Sequence, residues 1–236
     1  IKAENSTTPV MFQDVTDPGF EKVRFSGCEF TWTDSVSQEV VAFNIEAANS
    51  ASLARDKLRV DNSWFYNVGR RWVSNNQPSN ESSSNANWYL HHNYVASKTG
   101  GVTGNDCYMI LLGLGYLPAG TAAPDGSEDW GVSSQDSLFM EVSNNDFDWE
   151  TSASGVELLD IKSSSNLICN NRFRSGSRNP FHFRSGNYNV MYGNWIEGQT
   201  GNRRVNMNGN YRNVMCFNYL SNNGSDSTPC IDYYDG

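Results

Sequence analysis

No run of eighteen apolar residues occurs anywhere in the 236-residue chain, so no segment has the length and polarity of a membrane-spanning helix. Helical periodicity is missing too, which argues against a helical bundle. Charged residues make up only 18% and hydrophobic residues 38%, a balance that fits neither a bundle nor a disordered chain. Histidine is scarce at three residues and cysteine at five. Cys28, Cys107, Cys169, Cys216 and Cys230 form no CxxC pair and no metal-like spacing with the histidines, so no zinc site is expected. A basic, apolar leader is also absent and the first residue is Ile1; the expectation is a processed product, secreted or periplasmic.

Positive charge is in short supply, with 17 basic against 26 acidic residues and a net charge of -9. It is also unevenly spread. Residues 1–156 carry 9 basic and 20 acidic side chains, residues 157–212 carry 8 and 3, and the tail carries 3 acidic ones. A basic segment in an acidic chain is a candidate site for an anion, because a local field can hold a polyanion whatever the net charge. The competing reading is a solvated basic face.

What the chain has in abundance is Asn, Ser and Gly. Asn-x-apolar recurs at Asn62, Asn93, Asn145, Asn171, Asn194 and Asn218, at intervals of 31, 52, 26, 23 and 24 residues. Taking 52 as two units gives a period near 25, in the range that signals a solenoid. Each unit holds short β-rich runs such as "LRVDNSWFYNV", "LICNNRF" and "NVMYGNWI" between polar turns. The reading is one all-β domain over 1–236, a single-stranded right-handed parallel β-helix with an asparagine ladder. Cys169 and Cys216 each precede a ladder Asn by two residues, with Tyr192 at that position in the unit between. Two units apart, at roughly 10 Å, they are beyond disulfide reach, and both are expected to be buried thiols. Residues 74–86 and 115–136 read as long loops.

From Val156 the chain reads "VELLDIKSSSNLICNNRFRSGSRNPFHFRSGNYNVMYGNWIEG". This resembles the catalytic core of the parallel β-helix lyases of polysaccharide lyase family 6, which contains chondroitinase B and many alginate lyases. In that family a strand of the form E-x-E-I-I-x-x-K-S precedes an Asn-rich turn, and an F-R-H-G motif follows. The resemblance is strong over 156–222, moderate over 86–155 and weak before that, so the catalytic core is expected at about 86–222 of what is either a short member or a fragment. It puts Glu157 on the second acid, Lys162 on the catalytic base and Arg184 on the catalytic acid. Lys162 and Arg184 lie 22 residues apart, close to one unit, and so are expected on neighbouring coils.

The resemblance also implies a calcium ligand at Asn105, in "NDCYMILLGLG", with Glu157 as a second. The other family positions depart from the pattern: its first acid is Gly155, the upstream acid is Tyr108, and the histidine after the arginine is Ser185. Ca²⁺ takes six to eight oxygen ligands, several of them carboxylate, and two residues leave that set incomplete.

The implied chemistry is β-elimination in a uronate polymer, with alginate the leading candidate. It needs a group to neutralise the substrate carboxylate, a base for the C5 proton and a donor for the departing C4 oxygen. Arg178, Arg203 and Arg204 are candidates for the carboxylate, since guanidinium pairs with it through two parallel hydrogen bonds. His182, two residues before Arg184, is a candidate subsite donor or second proton-transfer group, with a structural histidine the competing reading, and Tyr188 is a candidate sugar-stacking residue. Tyr192 and Trp195 read as core, and His91 and His92 as packing or turn residues. The expected partner is an anionic polysaccharide, with no nucleic acid or membrane, and the expected state is a monomer. Two other functions fit the pattern: a non-catalytic β-helix that binds acidic polysaccharide, or a glycoside hydrolase using Glu157 and Asp160, whose carboxyls would have to lie about 5–9.5 Å apart across a cleft.

Overall fold

The computed structural model describes residues 2–3, 10–14, 22–32, 41–45, 57–69, 71–75, 88–97, 109–112, 139–149, 157–175, 179–185, 188–198, 205–208, 212–222 and 231–234. Among these every regular element is a strand. β1 (Lys2–Ala3) and β2 (Val10–Asp14) come first. Seven rounds of three follow. They are β3 (Lys22–Ser26), β4 (Glu29–Trp32) and β5 (Val41–Ile45); β6 (Lys57–Asp61), β7 (Trp64–Val68) and β8 (Arg71–Asn75); β9 (Tyr89–His91), β10 (Tyr94–Ser97) and β11 (Ile110–Leu112). Next are β12 (Glu141–Ser143), β13 (Asp146–Trp149) and β14 (Glu157–Lys162); β15 (Leu167–Cys169), β16 (Arg172–Ser175) and β17 (Asn179–Ser185). The last rounds are β18 (Val190–Tyr192), β19 (Trp195–Gly198) and β20 (Val205–Asn208); β21 (Val214–Cys216), β22 (Tyr219–Asn222) and β23 (Ile231–Tyr234).

Each round gives one strand to each of three parallel sheets. Sheet I runs β3-β6-β9-β12-β15-β18-β21, sheet II β1-β4-β7-β10-β13-β16-β19-β22, and sheet III β2-β5-β8-β11-β14-β17-β20-β23. Parallel strands in three sheets, visited in turn and without a helix, are compatible with a β-solenoid. Strand alternation decides what faces inward. In sheet II the inward row is Phe30, Phe65, Val95, Phe147, Phe173 and Ile196, all at most 1% exposed. Val60, Leu90, Val142, Ile168 and Met191 form the matching row of sheet I, and Val73, Ile110, Leu159, Phe181 and Val205 that of sheet III. These rows belong to one hydrophobic core. Phe147 stacks on Phe173 at 4.8 Å, and Phe173 meets Phe181 of sheet III edge-on at 4.5 Å. Each such ring contributes about 1.5–3 kcal/mol by burial.

The corner between sheets I and II is built from a left-handed residue followed by a ladder residue. Gly27, Asn62, His92, Asn144, Asn170, Gly193 and Phe217 all have φ between 50° and 65°. Asn and Gly reach this region at little cost. After them, the side-chain oxygen of each ladder residue accepts from the backbone N–H of the ladder residue one round earlier: Asn93 to Asn145 at 2.9 Å, then Asn145 to Asn171, Asn171 to Asn194 and Asn194 to Asn218, each at 3.0 Å. Each side-chain amide also donates back to a strand carbonyl of the earlier round, as Asn145 does to Leu90 at 2.7 Å.

Two sequence expectations are corrected here. Asn62 is not in the ladder: it is the left-handed corner residue, and Ser63 takes the ladder position, its N–H donating to Asn93 Oδ1 at 3.1 Å and its Oγ accepting from the N–H of Cys28 at 3.2 Å. The 52 residues from Asn93 to Asn145 are one round and not two, because β9 and β10 pair directly with β12 and β13. A second ladder, absent from the sequence reading, runs along the corner from sheet III to sheet I. There Asn166 N–H donates to Asn189 Oδ1 at 2.9 Å and Asn189 N–H to Asn213 Oδ1 at 2.8 Å. Cys169, Tyr192 and Cys216 lie in register on successive strands, as expected, and Cys28, Cys169 and Cys216 are free thiols; Cys169 is buried, but Cys216, also expected to be buried, is only partly so. Of the two segments read as loops, residues 76–86 and 115–136 lie outside the described residues, while Ser74 and Asn75 belong to β8.

Candidate functional site

Lys162 and Arg184 come together through β14 and β17, which pair in parallel. The register runs Glu157 to Asn179, Leu159 to Phe181, Asp160 to His182 and Ile161 to Phe183, and then Lys162 opposes Ser185. One residue of β17 is therefore extra, and that residue is Arg184. Such an irregularity locally bends a strand and re-aims its residues, and it recurs beside functional sites. The backbones of Lys162 and Arg184 thus sit on neighbouring strands, about 4.8 Å apart.

The strand does not bring Glu157 to the same point. A joint site for Glu157 and Lys162 calls for a bend between Leu159 and Ile161, but β14 runs unbroken from Glu157 to Lys162, and its one irregularity falls after Ile161. The two residues occupy opposite ends of the strand, about 17 Å apart at the usual rise per residue.

Between them lie Asp160 and His182, paired in register and alternating with the inward Leu159, Ile161, Phe181 and Phe183. Alternation turns them away from the core, yet Asp160 is 0% exposed and His182 only 6%. His182 is thus a buried group, unlike an open subsite donor. The fully buried Asp160 lies within β14 and not on an open cleft wall, which weakens the pairing of Glu157 with Asp160 as hydrolase carboxyls. Asn206 of β20 and Asp232 of β23 continue the same row.

Tyr188 lies at the corner leading from sheet III to sheet I, in the left-handed region at φ 60°, and is 53% exposed. The Arg212 guanidinium, one round on, sits 5.5 Å from the ring centroid and donates to the Tyr188 hydroxyl. Tyr188 is therefore an exposed aromatic with one face occupied by a cation. Arg178, Arg203, Arg204 and Asn105 lie outside the described residues. Tyr192 and Trp195, read as core, are in fact exposed at 37% and 46%. They occupy the outward positions flanking Met191 and Ile196, so strand alternation overrides their hydrophobicity.

Among the described residues, no group of three His, Cys, Asp or Glu side chains is arranged to hold a metal. Of the two implied calcium ligands, Glu157 lies at the far end of β14 from Lys162, and Asn105 lies outside the described residues.

A separate charged cluster occupies sheet I. The Asp61 carboxylate is 0% exposed and accepts from Arg24 Nε at 2.9 Å and Nη2 at 3.0 Å, Arg59 Nε at 2.7 Å, Asn62 Nδ2 at 3.0 Å and the Ser26 hydroxyl. The Arg24 hydrogen bonds lead in holding its pKa well below the usual carboxylate range, with Ser26, Arg59 and Asn62 acting in the same direction against burial. His91 Nε2 lies 3.9 Å from Asp61, and burial followed by the charge of Arg59 keeps the imidazole pKa below its ordinary value. His92, at φ 57°, is a turn residue.

No family model matches the chain, and neither the curated proteins nor the solved structures contain a match.

Proposed function

We propose that the chain is a polysaccharide lyase of the family 6 kind, acting by β-elimination on a uronic acid polymer, with alginate the leading candidate. The three sheets would then close as a single-stranded right-handed parallel β-helix, the hand that parallel crossover connections almost always take. The single observation that supports the activity most is the β14–β17 pairing: residues 22 apart in sequence meet on neighbouring strands at the one irregularity in that pair. Around them, residues 157–212 carry 8 basic against 3 acidic side chains, a field that suits a polyanion.

In this mechanism the Lys162 amine, in its neutral form, takes the proton from C5 of the uronate. The C5–H electron pair becomes the C4–C5 double bond, and the C4–O bond breaks. Arg184 stabilises the departing oxygen, which gains a proton from water or from the guanidinium; a pKa above 12 makes the guanidinium the poorer donor. Arg178, Arg203 and Arg204 are the candidates for neutralising the substrate carboxylate, a task for which a forked guanidinium is suited. The deciding assay mixes the protein with alginate and with other uronic acid polymers and follows the ultraviolet absorbance of the conjugated, unsaturated product. Absorbance should rise on at least one polymer; a flat trace on all of them, with and without added Ca²⁺, would sink the proposal.

A further inference from the structure

The outward positions of sheet II carry a set of side chains that elimination chemistry does not use. In register on successive strands they are Trp64, Tyr94, Asp146 and Arg172. Together with Tyr66 and the corner residues His92, Asn144 and Asn170, they line an open groove of about 700 Å³. From Trp64 to Arg172 is three strand spacings, ~14 Å along the stacking direction.

Two properties of this groove point to the same chemistry. First, its charges are matched internally. Arg174 forks onto Asp146 at 3.0 and 2.8 Å, and Arg172 donates to Glu197 at 2.8 Å. Asp146, Asp148 and Glu197 set three negative charges against the two arginines, so the face offers no net positive field to a polyanion. Second, Trp64 is 47% exposed, and its ring makes no ring contact among the described residues. Trp195, by contrast, gives one ring face to Tyr219, stacked at 4.1 Å. A free indole beside planar amide, carboxylate and guanidinium groups matches a pyranose, which offers an apolar C–H face and a rim of hydroxyls that both donate and accept.

We infer that this groove is a second glycan-binding site, taking a neutral oligosaccharide segment that lies across successive strands of sheet II with one sugar stacked on Trp64. It is separate from the Lys162–Arg184 pair on sheet III and does not depend on the lyase reading. The test titrates the full chain with cellohexaose, xylohexaose, mannohexaose and laminarihexaose, by calorimetry and tryptophan fluorescence. At least one should bind saturably. Trp64→Ala should weaken that binding about tenfold or more, Trp64→Phe should retain most of it, and Trp195→Ala and Lys162→Ala should leave it within about twofold, all with unchanged circular dichroism. An excess of alginate oligomers should not displace the neutral ligand. Absence of binding to all four sugars at millimolar concentration, undiminished binding by a folded Trp64→Ala variant, or displacement by alginate would each overturn the inference.

Discussion

At the scale of single residues, Asp61 and His91 set how the protein responds to acid. The Asp61 carboxyl is held below its unfolded value, so its contribution is complete above about pH 4 and is lost as pH falls through the lower folded value. His91 is lowered as well, so the unfolded chain takes up its proton first, and stability declines as pH drops below about 6.5. Urea midpoints measured from pH 7 to pH 3 should therefore fall in two stages. His91→Gln should flatten the upper stage and Asp61→Asn the lower one. At neutral pH, Asp61→Asn should cost about 1–3 kcal/mol, because the half-exposed Arg24 and Arg59 regain water while the buried cluster loses its charged hydrogen bonds. Lys162 carries the sharpest functional prediction. Lys162→Ala should lower the elimination rate by about 10²–10⁴-fold if the amine is the base, as read by initial-rate absorbance measurements.

At the scale of elements, the corners and ladders give the clearest tests. Gly193 and Gly27 share φ 65°, but a Cβ on Gly193 would run into the side-chain oxygen of Asn170, whereas at Gly27 it would meet open space. Both alanine variants bear the left-handed penalty of about 1–2 kcal/mol; Gly193→Ala should cost more, read as the difference in denaturant midpoint at equal slope. Asn171→Ala strips partners from the Asn145 N–H, the Asn145 side-chain amide and the Val142 carbonyl at once. Leaving buried polar groups unpaired costs about 1–3 kcal/mol each before relaxation, so this variant should be among the most damaging single changes in the molecule. The asparagine spacing made the first ladder legible in the sequence, and the placement of Tyr192 between Cys169 and Cys216 followed from it. Asn62 was misread because a corner Asn and a ladder Asn look alike one residue apart, and Ser63 fills the ladder position without the expected letter. The second ladder left a weak trace in "NLIC", "NVMY" and "NVMC", but an Asn before three strand residues is common enough to pass unnoticed. The neighbourhood of Lys162 and Arg184 was legible from their 22-residue spacing. The unbroken β14 and the burial of Asp160 and His182 were not, since both depend on how one sheet face is covered.

At the scale of the whole molecule, stability is a sum over neighbouring rounds, because each strand pairs only with its counterparts one round away. The middle rounds are the best sealed: Leu90, Val95, Val142, Phe147, Ile168, Phe173 and Phe181 are all 0% exposed, while Met215 and Leu220, at the inward positions of the last round, are only partly buried. In native-state hydrogen exchange, the Asn145 and Asn171 amides should therefore open only with global unfolding, and those of β21 and β22 through smaller, earlier openings. Equal protection across both regions would contradict this ranking. The direct bond from Asn93 to Asn145 carries a last consequence. Those two positions are 52 residues apart, against 23 to 26 for the later ladder steps, yet the ladder crosses from one to the other without a gap, so strand pairing and the ladder, and not the length of chain in a round, hold the register. Closing a longer loop adds only about 0.6 kcal/mol per doubling. A round of such a stack can thus differ twofold in chain length from its neighbours while the ladder above and below keeps its register.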